Sequence, residues 1–166
     1  MIACENSDQK TPLGGVIDRP QQSQNTEGNG DNPSDTISGS KILITYFTVP
    51  ETDGVDYEEK SDNARPELAT HIENLSEYDV IFVGFPNWNA DLPMPLYSFF
   101  EEYDFSQKIL IPFVTHGGSG FSSTIRTIKK LEPDATVIEE GLSVSRNNVA
   151  TAESDVKSWA ESLLKD

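Results

Sequence analysis

Two loops hold most of the side chains that could do chemistry. Residues 86–95 read PNWNADLPMP: Trp88 follows an apolar run, flanked by Asn87 and Asn89, with Pro86, Pro93 and Pro95 stiffening the stretch. A Trp so placed offers a flat face on which a planar heteroaromatic ring can stack. A Trp can equally cap a core, and the residues alone fit both roles. Residues 115–121 read THGGSGF. Gly117, Gly118 and Gly120 permit positive φ and a close approach of backbone to a ligand, and Thr115, His116 and Ser119 offer hydrogen-bonding side chains. A plain strand-to-helix turn, capped by Ser119 or Ser122, fits the same residues. A third loop, TVPETDGVD (48–56), opens on the hydroxyl of Thr48 and is otherwise acidic. An esterase-like reading of HGGSG is disfavoured. A Gly-x-Ser-x-Gly nucleophile turn around Ser119 would need glycine at 121, where Phe121 stands, and no second elbow serine exists.

Each loop follows an apolar run. KILITYF (41–47), VIFVGF (80–85) and KILIPFVT (108–115) are nearly continuous in Ile, Val and Phe, and TVIEEGLSV (136–144) is a weaker fourth. Strands buried on both faces, as in a parallel sheet covered by helices, read this way. Helical patterns fall between and after them. PLYSFFEEY (95–103) starts with Pro in a first-turn position. SSTIRTIKKL (122–131) spaces Ile125, Ile128 and Leu131 for one face and stops before Pro133. In 149–164, Val149, Ala152, Val156, Trp159 and Leu163 form one stripe, with Asn148 as its cap. Strand-helix alternation with right-handed crossovers gives a doubly wound α/β sheet. Ligands of such sheets sit beyond the carboxyl ends of the strands, where the three loops are.

The chain has 166 residues, and its 28 acidic residues face 12 Lys and Arg for a net charge of −16. No basic stripe exists to replace counterions, so nucleic acid is excluded as a partner. One cysteine, Cys4, and two histidines, His71 and His116, leave no disulfide and no Cys- or His-rich metal cage. No stretch approaches the ~20 apolar residues of a membrane span. Residues 1–40 are rich in Gln, Asn, Ser, Asp, Gly and Pro and read as a disordered polar arm ahead of a domain at 41–166. The opening MIAC resembles the end of a bacterial lipoprotein signal, in which lipid is attached to the cysteine. The basic and apolar regions of an export signal do not precede it.

The segment 78–137, from YDVIFVGFPNWNADLPMP through THGGSGFSSTIRTIKKLEPDATV, resembles the flavodoxin-like proteins related to flavodoxin-type NAD(P)H oxidoreductases. The likeness continues through GLSVSRNNV (141–149) and includes 41–56. It implies an α/β doubly wound parallel sheet with FMN at the switch point. Trp88 is then the stacking residue, and Pro86, Asn87, Asn89, His116 and Ser119 belong to the loops around the isoalloxazine. The backbone amides of Thr115, His116, Gly117 and Gly118 contact its pyrimidine edge, and Thr48 stands at the first phosphate-contacting position. No residue is assigned to catalysis, since the flavin carries the electrons. The acidic surface is expected to lower its potential. Many bacterial members also carry a lipoprotein leader and polar tether, so lipid attachment at Cys4 would place the domain outside the cytoplasmic membrane; the alternative location is cytoplasmic.

The sequence departs from the family after 56. The family continues into a Gly-Asn-Thr-like phosphate turn, a first helix and a second strand. Here YEEKSDNARPELATHIENLSEYD (57–79) follows, with at most a short helical piece over 67–75. The sheet is therefore expected to have four strands, in family order 1-3-4-5, with 41–47 as an exposed edge and possible dimer seam. Ile42, Ile44 and Tyr46 alternate with Leu43, Thr45 and Phe47, and one of the two sides should lack its cover. Glu51, Asp53, Asp56, Glu58 and Glu59 would repel a phosphate dianion. The expected function is a flavodoxin-like FMN domain for electron transfer or reduction of a small acceptor, with weakened FMN affinity and an unidentified redox partner. The alternative is a remnant of the fold that acts as a binding or structural module without flavin.

Overall fold

The apolar runs form the centre of a parallel sheet. The structure, a computed structural model, describes residues 2–3, 37, 39–48 and 60–163, with backbone alone at 2, 3 and 48. The strands are β1 (Ile2–Ala3), β2 (Ile42–Thr48), β3 (Val80–Pro86), β4 (Ile109–His116), β5 (Thr136–Val137) and β6 (Leu142–Ser145). All pairings are parallel, in the order β1-β2-β3-β4, with β5 and then β6 against β4. β2, β3, β4 and the shared β5/β6 position are the expected four, in the expected order. Ile2–Ala3 adds a short strand beside Phe47 and Thr48 on the open edge, and among the described residues no strand pairs with 42–46 on that side. Cys4 and the acidic residues 51–59 lie outside the described residues.

The fourth strand is broken where the sequence suggested one run, 136–144. Ile138 N still donates to Leu110 O at 2.9 Å, and the chain then leaves the ladder until Leu142. A Cβ at Gly141 would stand 2.1 Å from the carbonyl oxygen of Pro112, too close for any side chain. Pro112 itself has no N–H for a ladder.

The helices are α1 (Met94–Glu102), α2 (Thr124–Leu131) and α3 (Glu153–Ser162). α1 enters from Pro93 and carries Pro95 in its first turn. The stripe expected to run as one helix over 149–164 begins instead as a 3-10 turn, Val149–Thr151, and Asn148 makes no side-chain cap bond. Nor does a helix form over 67–75. Ile72 N donates to the Tyr103 hydroxyl at 2.8 Å rather than to a helical carbonyl, and only the 3-10 turn Leu75–Glu77 appears. The segment is held by its apolar side chains: Leu68, Leu75 and Tyr78 are buried.

The two faces of the sheet are covered unequally. On one, Leu43, Phe47, Ile81, Val83, Phe85, Leu110 and Val114 pack with α1, α2 and Leu68. On the other, Val80, Ile109 and Ile111 pack with Ile37, which is only 2% exposed, and with the half-buried Phe82, Trp159 and Leu163. The alternation in β2 shows which side is the more open: Leu43 is 2% exposed and Phe47 1%, while Ile44 is 41% exposed. A cavity of about 770 Å³ remains between this face and α3, lined by Ile44, Tyr46, Phe82, Phe113, Val156 and Trp159 among others.

Its floor depends on one glycine. The Tyr46 and Phe113 rings stack at 5.8 Å and 22°, and a Cβ at Gly84 would lie 2.1 Å from Phe113 Cζ and 2.4 Å from Tyr46 Cδ2. Gly84→Val should lower stability by ~1–3 kcal/mol in a urea melt, the range for forcing bulk into a packed site. A loss below ~0.5 kcal/mol would mean that the two rings swing freely into the cavity.

Candidate functional site at the carboxyl ends of β3 and β4

Pro86 ends β3 and pairs in register with Thr115 near the end of β4, so the two chemistry-bearing loops leave the sheet side by side. Hydrogen bonds then lock them together. Asn87 N donates to Thr115 O at 2.8 Å. The Asn87 amide Nδ2 donates to Gly120 O at 2.7 Å. Ser123 donates to Ala90 O twice, from its backbone N at 3.3 Å and its Oγ at 2.6 Å.

The tip of the first loop is held in a costly conformation. Asn89 (φ 49°) and Ala90 (φ 62°) are both left-handed, a region where Cβ clashes with backbone. Trp88 and Asp91 close the turn by exchanging backbone hydrogen bonds of 3.1 and 2.8 Å. Strain of this kind persists only where surrounding contacts enforce it, and the Asp91 side chain supplies them. Its Oδ1 accepts from Thr127 Oγ1 of α2 at 3.0 Å. Its Oδ2 accepts from the Tyr97 hydroxyl of α1 at 3.2 Å and pairs with Lys60 Nζ at 3.4 Å. Lys60 also donates to Asn89 O at 3.2 Å. Burial acts to raise the Asp91 carboxyl, but the Leu92 amide, the Thr127 hydroxyl and the Lys60 charge outweigh it and hold the group below its ordinary value. The carboxylate's support for the loop is thus present above the unfolded value and lost as the pH falls through the lowered folded one. Burial and the adjoining Asp91 charge push the Tyr97 hydroxyl up to about 12.

The predicted site residues divide by position. Trp88 is half-buried and, among the described residues, packs against neither apolar cluster. Asn87 Oδ1 is buried and has no hydrogen-bond partner among the described residues. Thr115 Oγ1 lies 3.3 Å from the Tyr46 hydroxyl, so this residue joins the loop to the cavity floor. His116 Nδ1 accepts from Gly118 N at 2.9 Å. The histidine therefore closes its own turn, and the Gly118 amide is already engaged. Gly117 and Ser119 are exposed, and Ser119 O accepts from Ser122 Oγ at 2.9 Å. Neither Ser119 nor Ser122 caps α2; the residue at its cap, Ser123, makes no side-chain cap bond. The Thr48 side chain lies outside the described residues.

A buried acceptor with no partner among the described residues, a half-buried indole and a glycine loop in one hydrogen-bonded unit suit a planar heteroaromatic with polar edges. Among the described residues, no group of three or more His, Cys, Asp or Glu could hold a metal ion, and no helix is long and apolar enough to cross a membrane. The flavodoxin family model matches residues 41–163. The chain belongs to the flavodoxin family. A crystal structure of a candidate flavoprotein from Bacteroides eggerthii superposes with a TM-score of 0.62 at 24% identity, over 76% of this chain and 99% of that one. One from Bacteroides uniformis gives 0.51 at 28% identity, over 66% and 67%. A flavoprotein from Lactobacillus acidophilus, crystallised with FMN, gives 0.45 at 20% identity, over 64% and 66%. No curated protein matches the chain significantly.

Asp91, Tyr97, Thr127 and Lys60 were not legible as part of this site. They are scattered through the sequence and meet only when α1, α2 and the segment after 59 pack around the loop. Arg146 was missed for the same reason. It follows β6, and its backbone N donates to His116 O at 2.8 Å.

Proposed function

We propose that this member of the flavodoxin family is an FMN-binding domain for electron transfer or for reduction of a small acceptor, with a weakened hold on the phosphate. The observation that carries the reading is Trp88: a half-buried indole that, among the described residues, joins neither apolar cluster, on a loop clamped to the glycine loop beside it. When bound, FMN would supply the redox chemistry. The chain's own residues would bind and orient it. Trp88 would provide a stacking face, Asn87 Oδ1 would provide a buried acceptor that has no partner among the described residues, and the Asp91 network keeps the Trp88 turn from relaxing. Preorganisation of this kind limits the ordering cost of binding.

The phosphate end is the weak one. Where the family has its phosphate turn and first helix, this chain has an acidic loop, and a helix N-terminus is what would otherwise hold the anion. FMN and riboflavin should therefore bind with dissociation constants within about threefold of each other, a gap of roughly 0.6 kcal/mol. Parallel titrations at low salt check this. A preference for FMN of a hundredfold or more would mean that another part of the chain grips the phosphate.

A second reading is favoured by the open face around Ile44 and its cavity: a module that keeps the fold for binding, without flavin. The same face and the edge at 42–46 suit association with a second copy. Lipid attachment at Cys4, with the domain held outside the cytoplasmic membrane, is part of the first reading and is tested by labelling intact cells with palmitate.

A further inference from the structure

The loop that would hold the ring has a cation beside it. Four of the described Lys and Arg side chains are satisfied by carboxylates: Lys41 by Glu77, Lys60 by Asp91, Arg65 by Glu101 and Lys129 by Glu139. Lys108 donates to the carbonyls of Ser76 and Tyr78. Arg146 has no carboxylate partner among the described residues. Arg126, Lys130 and Lys157 share that property but stand on α2 and α3. Arg146 stands at the carboxyl end of the sheet, against the glycine loop.

The fold fixes its backbone, and the residue is exposed. The backbone N of Arg146 bonds to His116 O at 2.8 Å, which extends the β4–β6 ladder by one residue. The guanidinium then lies over Gly117: Nη1 would be 3.7 Å and Cζ 3.8 Å from a Cβ placed there. These are ordinary van der Waals distances, so the guanidinium stands next to the glycine loop. A planar, always charged group with several donors thus borders the loop on the side of β6.

We infer that Arg146 supplies positive charge to the pyrimidine edge of the bound flavin and so favours its reduced, anionic form. The inference rests on the flavin reading above. Full reduction adds two electrons and one proton, leaving N1 unprotonated and a negative charge spread over N1 and the C2 carbonyl. A cation at that edge stabilises the charged reduced form over the neutral oxidised one, most strongly at low salt where screening is weak. It raises the two-electron potential and lowers the pKa of N1–H, against the pull of the acidic surface as a whole. Arg146 is a tuning residue, not a proton donor, because guanidinium does not give up its proton near neutral pH.

The test is a reductive titration of the full-length protein loaded with FMN, with dithionite as reductant and a reference dye reporting the potential. Wild type, Arg146→Gln and Arg146→Lys are compared at low salt. Arg146→Gln should favour reduced FMN over oxidised FMN about tenfold less, a fall of about 30 mV for a two-electron couple. Its affinity for oxidised FMN should stay within about twofold, and the N1 ionisation, followed by the absorbance of the reduced form against pH, should move up. Arg146→Lys should retain most of the wild-type potential. A midpoint and an N1 ionisation unchanged in Arg146→Gln would overturn the inference while leaving the flavin reading intact. A wild-type protein that takes up no FMN, seen as unshifted visible bands, overturns the flavin reading and this inference with it.

Discussion

Phe99→Ala should remove most of the domain's stability. Phe99 has no exposed surface and sits at the centre of an aromatic cluster. Its ring centroid lies 5.0 Å from Phe47, 5.1 Å from Phe105, 5.3 Å from Tyr103 and 5.5 Å from Phe100. These contacts tie α1 to β2 and to the turn after α1. Truncating a buried Phe costs ~3–5 kcal/mol, because transfer free energy is lost and a cavity is left. The whole stability of a small domain is ~5–15 kcal/mol. This domain belongs at the lower end, since one sheet face is only partly covered. The expected result is a large fall in the urea midpoint, or loss of the folded baseline altogether. A cost below ~1 kcal/mol would mean that the cluster repacks around the gap.

Trp88→Ala should do the opposite, removing function and sparing the fold. Because Trp88 packs on neither apolar cluster, the urea midpoint should change by no more than ~0.5 kcal/mol, as at an ordinary surface site. The loss should appear in flavin binding. An aromatic pair contributes ~0.5–1.5 kcal/mol beyond the area it buries, and the lost area adds to that. The dissociation constant for FMN should rise tenfold or more, at ~1.4 kcal/mol per factor of ten. Trp88→Phe should recover most of it. If Trp88→Ala instead unfolds the protein, the indole is a cap on the core and the site has been misread.

What could be seen in the sequence was what local pattern dictates. Strands buried on both faces are continuous apolar runs, so β2, β3 and β4 were legible to within a residue at each end. The alternation of Ile42, Ile44 and Tyr46 with Leu43, Thr45 and Phe47 separated the two faces, and the missing helix identified one of them as open. The two-residue edge strand Ile2–Ala3 and the burial of Ile37 were not legible. Both depend on a sheet edge and a sheet face made by residues far along the chain. The break between β5 and β6 is set by the closeness of Gly141 to Pro112, a distance that no run of apolar letters encodes. Trp88 and the glycine loop stood out because their residue types are unusual at strand ends. Asp91 did not, because an acidic residue in a polar loop is ordinary until Thr127, Tyr97 and Lys60 are seen to converge on it. His116 was readable as a loop residue, but its bond to the Gly118 amide is a turn-closing contact that sequence alone could not distinguish from a ligand contact.

The central claim is that the loops after β3 and β4 hold a flavin ring. Crystals of the protein soaked with FMN test it most directly. The account predicts planar density against the Trp88 indole and beside Gly117, with a ring edge within hydrogen-bond distance of Asn87 Oδ1. It also predicts weaker density toward the phosphate. Density lodged in the cavity under Ile44 and Tyr46, or no flavin at millimolar soak, would contradict the account and leave the fold as a module that works without the cofactor.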